Sequence, residues 1–287
     1  MTLLRRTRTT AALAAAAGLV ALAAPASAAH EDLTAAGLTS GGTKVTVLGL
    51  ADGRAAQQQS LVGLEGDRRL VGIDYRVFGG DATLYGVGDG GGLYAVDPAT
   101  GTAVLKGRLT VPLEGTRFGV DFNPVANALR IISDTGQNLR QPFATVVDDV
   151  AGNAATVVDG RLNYGGTVTG PNTSEGGTPA LGVTGAGYTN NDADPATGTV
   201  LLDIDTDRDV LAVQNANPGV LTERGALGVD ASEVAGFDVY TDGDRNTGIA
   251  LLVVGGERGL YAVDLATGAV RFLTGVTRGV SELAIAP

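Results

Sequence analysis

LYAVDPATG at residues 93–101 recurs as LYAVDLATG at 260–268, the two differing only where Pro98 gives way to Leu265. A nonapeptide repeated at such a distance restricts the chain to architectures assembled from copies of one unit. The copies extend beyond the nonapeptide, because residues 236–276 are nearly a second version of residues 72–109. In the first version short runs at 72–75, 84–87, 93–96 and 104–105 are rich in Leu, Tyr and β-branched residues and are bounded by Gly, Asp and Pro. That pattern predicts four strands, and no apolar stretch keeps a helical period. The linking turn Asp97-Pro98-Ala99-Thr100-Gly101 has its own chemistry. Asp can bind the backbone, Pro presets φ, and Gly takes the left-handed conformation that closes a short hairpin.

A four-stranded meander cannot bury both of its faces alone, whereas copies packed radially around an axis can. First strands are predicted at 70–75, 118–122, 183–188 and 234–239, carrying GIDY, GVDF, a degenerate copy and GFDV. A fifth candidate, SELAIA at 281–286, ends the chain, while 33–39, 43–50 and 57–64 supply three strand-like runs near its start. Joining those three with the C-terminal strand closes a ring and leaves no open sheet edge. The expectation is an all-β protein: a single five-bladed β-propeller of four-stranded antiparallel blades, closed by N- and C-terminal strands that share one blade. Unit starts at Gly72, Gly119, Gly187 and Gly236 are spaced about 47, 68 and 49 residues. The long interval holds a Gly/Thr/Asn/Pro-rich insertion at about 165–180, predicted as a surface loop.

Residues 1–28 stand apart. Arg5, Arg6 and Arg8 precede an apolar run, and Pro25-Ala26-Ser27-Ala28 offers a small-residue cleavage site. This reads as a signal peptide removed after Ala28, too short and Ala-rich for a membrane span. It places the mature domain, 29–287, in the extracellular space or cell envelope, with general secretion favoured over twin-arginine export. Removing those three arginines makes a chain of formal charge −11 still more acidic. Nucleic acid and anionic membrane surfaces are therefore poor partners. With no cysteine, burial rather than disulfides must hold an exported fold together. Two lysines against many Ala, Gly, Val and Arg suggest a high-GC bacterial source.

GVDFNPVANALRIISDTGQNLR at 119–140, GRLNYGG at 160–166, GYTNND at 187–192 and VQNANPGVLTERGALGVD at 213–230 resemble a secreted bacterial family. That family is domain of unknown function 4394, and the resemblance spans about residues 31–287. It implies export and a propeller-like fold, and it brings no activity and no catalytic residues. One departure follows Gln214-Asn215, where Ala216-Asn217-Pro218 stands in place of the family's two prolines.

The only histidine, His30, lies beside the cleavage site, so a Ser-His-Asp triad, a Cys-His pair and a multi-His zinc site are excluded. Carboxylate chemistry and oxygen-ligand metal binding remain. Asp74, Asp121 and Asp238 occupy one position of three first strands, lining the central channel of a propeller. They offer a cation site or a glycosidase carboxylate set. Alternatively each bonds backbone within its own blade, and repetition favours that reading because catalysis needs asymmetric roles. Asp242, Asp244 and Asn246 form a loop with oxygen ligands at its first, third and fifth places, a weak calcium candidate without the Gly and Glu of a helix–loop–helix site. The alternation at 203–209 suits strand and turn better than calcium. No other metal site and no cofactor is expected.

The candidate ligand-binding set is Arg130, Asp134, Gln137, Asn138 and Arg140, joined by Tyr164, Tyr188 and Asn190. Guanidinium and amide groups give directional hydrogen bonds, and they stand where other copies of the repeat carry apolar strands. The alternative is that these groups satisfy one another. Two functions follow: a non-enzymatic secreted propeller that binds a small molecule, glycan or envelope protein or serves as a scaffold, or a carbohydrate-active hydrolase using paired carboxylates. The chain has no Trp, seven Tyr and six Phe, which leaves few platforms for sugar stacking. A hydrolase would show two carboxylates about 5–9.5 Å apart in one open cleft.

Overall fold

The computed structural model describes residues 33–143, 154–243, 245–277 and 279–287. The signal-peptide reading, His30 and Asp244 lie outside them. The described residues build five antiparallel sheets arranged as blades. From the axis outward, blade 1 consists of Glu282–Ile285, Thr34–Thr39, Lys44–Gly49 and Gln59–Ser60. Blade 2 runs Leu70–Phe78, Asp81–Gly88, Gly92–Val96 and Ala103–Arg108, and blade 3 runs Phe118–Asn123, Ala128–Ser133, Asn138–Pro142 and Val157–Val158. Blade 4 is Val183–Tyr188, Leu201–Asp205, Val210–Asn215 and Val220–Ala226, and blade 5 is Ala231–Asp242, Arg245–Val254, Glu257–Val263 and Val270–Gly275. Each innermost strand packs against the innermost strand of the next blade, and the ring closes where Glu282–Ile285 meets Leu70–Phe78. The helical content of the described residues is a single turn, Ser40–Gly42, and no helix is long and apolar enough to cross a membrane.

The repeat folds this way because alternate residues serve opposite neighbours. In LYAV of blade 2, Leu93 and Ala95 pack toward blade 3 while Tyr94 and Val96 pack toward blade 1. In blade 5, Leu260 and Ala262 face blade 1, and Tyr261 and Val263 face blade 4. A period of two thus builds two cores from one strand. Five apolar clusters result, one between each adjacent pair of blades. The connecting turns use the expected chemistry. Asp97 accepts the Ala99 amide at 2.9 Å and the Thr100 hydroxyl at 2.8 Å, and Asp264 accepts the Ala266 amide at 2.9 Å. Gly101 and Gly268 take φ of 77° and 82°. These bonds hold both aspartates below the usual carboxylate range, led by the Thr100 hydroxyl at Asp97 and the Ala266 amide at Asp264.

The insertion is largely exposed, and within it Thr167–Gly170 pairs with Thr173–Glu175 as a hairpin, flanked by Asn163–Tyr164 and Thr178–Pro179. The flanking pair extends blade 4 to six strands, with Asn163–Tyr164 parallel to the outer strand at Val220 and Leu221. The backbone donors and acceptors of that outer edge are then paired rather than left open.

Ring closure depends on the last strand, whose Ala35–Ile285 to Leu38–Glu282 register joins the chain ends. Leu283 and Ile285 are buried in the core between blades 5 and 1. Each such side chain contributes about 1.5–3 kcal/mol. Deleting residues 280–287 should lower the melting temperature of the mature chain by roughly 10 °C or more, read by circular dichroism. A truncated chain that melts with the full one would refute closure.

Candidate functional site

The innermost strands approach one another so closely that glycine is required two residues before each of the repeated aspartates. A Cβ on Gly72 would lie 2.3 Å from Val120 Cγ2, and one on Gly236, at φ 150°, would lie 2.7 Å from the Leu283 amide nitrogen. This proximity lets an aspartate of one blade reach the backbone of the next. Asp74 Oδ2 accepts the Phe122 N–H of blade 3 at 2.7 Å, and Asp121 Oδ1 accepts the Tyr188 N–H of blade 4 at 3.0 Å. Asp238 Oδ2 accepts the Ile285 N–H of blade 1 at 2.6 Å. Gly187 and Ala284 occupy the corresponding places of blades 4 and 1. The Val239 amide, which lacks a carboxylate from the preceding blade, is served from its own strand by Asp238 Oδ1 at 2.5 Å. The expectation that each aspartate bonds within its own blade holds for one bond of Asp238 and is otherwise corrected. The principal bonds run between blades because the inner strands lie in contact.

The same bonds draw the three carboxylates together. One oxygen from each lies within 4.8 Å of the others, and all three residues are buried. Burial, and next the charge of Asp238, pushes Asp74 well above the usual carboxylate range. Burial followed by Asp74 and Asp238 does the same to Asp121, and burial raises Asp238 to about 6. The three line a cavity of about 60 Å³ at the end of the channel where the inner strands terminate, bordered by Tyr75, Tyr188, Asn190 and Tyr240. Arg76 also borders it, but its Nε bonds Asn127 Oδ1 at 2.8 Å and its guanidinium lies over the Phe78 and Phe143 rings.

The polar set read from the sequence separates in space. Tyr188 and Asn190 reach the axial cavity. Arg130 and Asn138 sit instead in a buried network between blades 3 and 4. There Arg130 donates to Asp159 at 2.6 Å, Asn138 at 2.8 Å, Asn217 at 3.2 Å and the Tyr188 hydroxyl at 3.4 Å. Asn138 Nδ2 donates to the carbonyls of Gly160 and Ala216, so the departing Ala216-Asn217 turn is tied into this network. Arg140 also bonds Asp159, a residue that sequence reasoning missed because no repeat marks it. Asp134 holds Thr116, and Gln137 holds the backbone at Pro112 and Glu114. Tyr164 donates to Asp205 at 2.9 Å under the guanidinium of Arg208. In the 242–246 loop, Asn246 Oδ1 accepts from the Asn190 amide and the Thr241 hydroxyl, and Asp242 is exposed. Asp203 and Asp205 are buried strand residues, as the alternation suggested.

A family model described as Domain of unknown function (DUF4394) matches residues 47–286. The chain belongs to that family. No curated protein matches it in sequence. Among solved structures this DUF4394 chain is similar to one from a nidogen/laminin complex, at 10% identity and TM-score 0.49, covering 89% of this chain and 98% of that one. It is also similar to a protein of unknown function from Bacteroides caccae, at 8% identity and TM-score 0.48, covering 88% and 98%. A third is an auxiliary nutrient binding protein from Bacteroides thetaiotaomicron, at 10% identity and TM-score 0.44, with 75% of this chain covered. The DUF4394 chain spans about half, 55%, of that protein's length.

A carboxyl whose folded pKa exceeds its unfolded value of about 3.9 binds its proton more tightly in the native state. Stability then falls as pH rises from the unfolded pKa through the folded one. For Asp238 that window runs from about 4 to about 6, and Asp74, Asp121, Asp203 and Glu282 act in the same direction. In chelator, the protein should therefore melt several degrees higher at pH 5 than at pH 8, and Asp121→Asn should flatten that slope. A melting temperature that rises over this range would show that the trio is not strained by its charge.

Proposed function

We propose that this chain is a non-enzymatic binding propeller of the extracellular space or cell envelope whose axial aspartates hold one divalent cation of the calcium type. The observation that carries the reading is the convergence of Asp74, Asp121 and Asp238, from three blades, to within 4.8 Å, while the Arg76 guanidinium at the same cavity is engaged by Asn127 and two aromatic rings. Calcium takes carboxylate oxygens at about 2.3–2.6 Å, so ligands on opposite sides of it lie close to that spacing. A cavity of about 60 Å³ suits an ion with a water or two, since a water occupies roughly 30 Å³. It is far below the roughly 300 Å³ at which small-molecule pockets begin. Residues that would hold the ion are the three aspartates, with water completing the shell. Bound there, it would supply a positive charge that offsets mutual repulsion and joins three blades at one point. The hydrolase alternative lacks its geometry. The carboxyl oxygens are closer than the separations of a glycosidase pair, they are buried, and most already accept backbone amides.

Calcium titrated into chelator-stripped protein at pH 7.5 should raise the melting temperature saturably by several degrees, with a midpoint near the roughly 0.1–1 mM of extracellular sites. Asp121→Asn keeps the oxygen that accepts the Tyr188 amide and removes charge, and Asp238→Asn removes charge while giving up one of two accepting oxygens, so each should abolish the calcium response. Asp242→Asn should leave it intact. A response unchanged in the axial variants, or none to calcium, magnesium or manganese, would overturn the proposal.

A further inference from the structure

The other end of the channel has the opposite chemistry. At the entry ends of the inner strands a cavity of about 310 Å³ opens between blades 1, 2, 3 and 5, five times the volume beside the aspartates. Its walls carry Arg69, Arg117, Glu233 and Glu282, with the Gly41-Gly42 turn and Ser281 at its side. The arginines are equivalent residues of adjacent blades. Each immediately precedes an innermost strand, and a bulge between Leu70 and Gly72 adds the residue that separates their counts from Asp74 and Asp121. We infer that this mouth is a second binding site, built for a small oxyanion such as a carboxylate or phosphate group held between Arg69 and Arg117.

Neither guanidinium makes a side-chain hydrogen bond among the described residues. Arg117 is exposed and makes no ion pair among the described residues. Arg69 has one contact, 3.9 Å to Asp89, and that carboxylate is already bound by the Arg68 amide, Nε and Nη2 at 2.9, 3.3 and 3.2 Å. The two acidic walls oppose an anion weakly. Glu233 is paired with Arg258 at 3.6 Å. Glu282 is buried, and that burial pushes its carboxyl well above the usual range, which favours the neutral form able to donate a hydrogen bond. On the remaining wall the backbone comes close without side chains. A Cβ on Gly42 would collide with the Leu70 carbonyl, and Gly41 opens onto free space. Two planar guanidiniums offer forked donors to a carboxylate or phosphate, and a volume of this size admits a small organic acid as well as the bare group. In a chain of net charge −11, such a pair is the local exception that selects an anion at one mouth.

The inference is independent of the axial cation and is tested separately. Inorganic phosphate and succinate are titrated into the mature protein at constant ionic strength, with sodium chloride as control, following heat by calorimetry and the melting temperature. Saturable binding of phosphate, of succinate or of both is expected, and which probe binds distinguishes the two groups. Arg69→Gln and Arg117→Gln should each weaken it at least tenfold while melting like the parent in probe-free buffer. Arg224→Gln, an exposed arginine elsewhere, should leave it unchanged. No saturable binding of either probe, parent-like affinity in the two arginine variants, or a response matched by chloride would overturn the inference.

Discussion

The structure depends on the contact between neighbouring innermost strands and on the aspartate-to-amide bond that this contact permits. An innermost strand pairs with its own blade along one edge only, and its other edge faces the channel with donors that need partners. Asp74, Asp121 and Asp238 supply those partners from the adjacent blade. A hydrogen bond to a charged acceptor contributes about 1.5–3 kcal/mol. The gain is greatest where the bond also fixes the register of one blade on the next. The five apolar clusters between blades are non-directional, so the aspartate bonds add the geometric definition that packing alone does not.

That solution creates a conflict of its own. Reaching across to the next strand brings three carboxylates to one point on the axis, where burial and mutual repulsion both oppose ionisation. The fold needs the oxygens as acceptors, and it gains nothing from three uncompensated charges. A proton or a cation resolves the conflict without disturbing the amide bonds. The chemistry of the site therefore grows out of the architecture rather than being added to it.

Much of this was legible in the sequence. The repeated nonapeptide, its Asp/Gly turns and the strand at the C-terminus specify blades and closure, because a period of two and a turn are local properties. The aspartates were visible as a repeat, but their partners were not. Sequence places Asp74 on a strand, and only the spacing between blades, set by Gly72 against Val120, decides that its carboxylate meets Phe122 rather than its own blade. The segment around Arg130 and Asn138 stood out as polar for a reason the sequence cannot rank. Asp159, Asn217 and the Ala216 carbonyl, distant in the chain, meet these side chains and satisfy them, leaving Tyr188 and Asn190 as the members that border the axial cavity. The strands of the insertion are not legible, because its Gly/Thr/Asn composition carries no strand signal. Thr178–Pro179 joins a sheet edge through Asn163–Tyr164, a tertiary effect, while Thr167–Gly170 and Thr173–Glu175 pair only with each other.

The departures from symmetry follow from counting acceptors. Four amides at this level of the ring, those of Phe122, Tyr188, Val239 and Ile285, are each held by one carboxylate oxygen. Three carboxylates supply those oxygens, because Phe122, Tyr188 and Ile285 lie on three different blades and each takes its aspartate from the blade before. A full set of five aspartates would satisfy the same amides and bring two more like charges to the axis, each further opposing ionisation of its neighbours. Gly187 and Ala284 in the other two blades are therefore the economical choice, because small apolar residues fill those places without charge. The ring thus places its carboxylates where a bond between blades calls for them, and they converge beside a cavity of about 60 Å³.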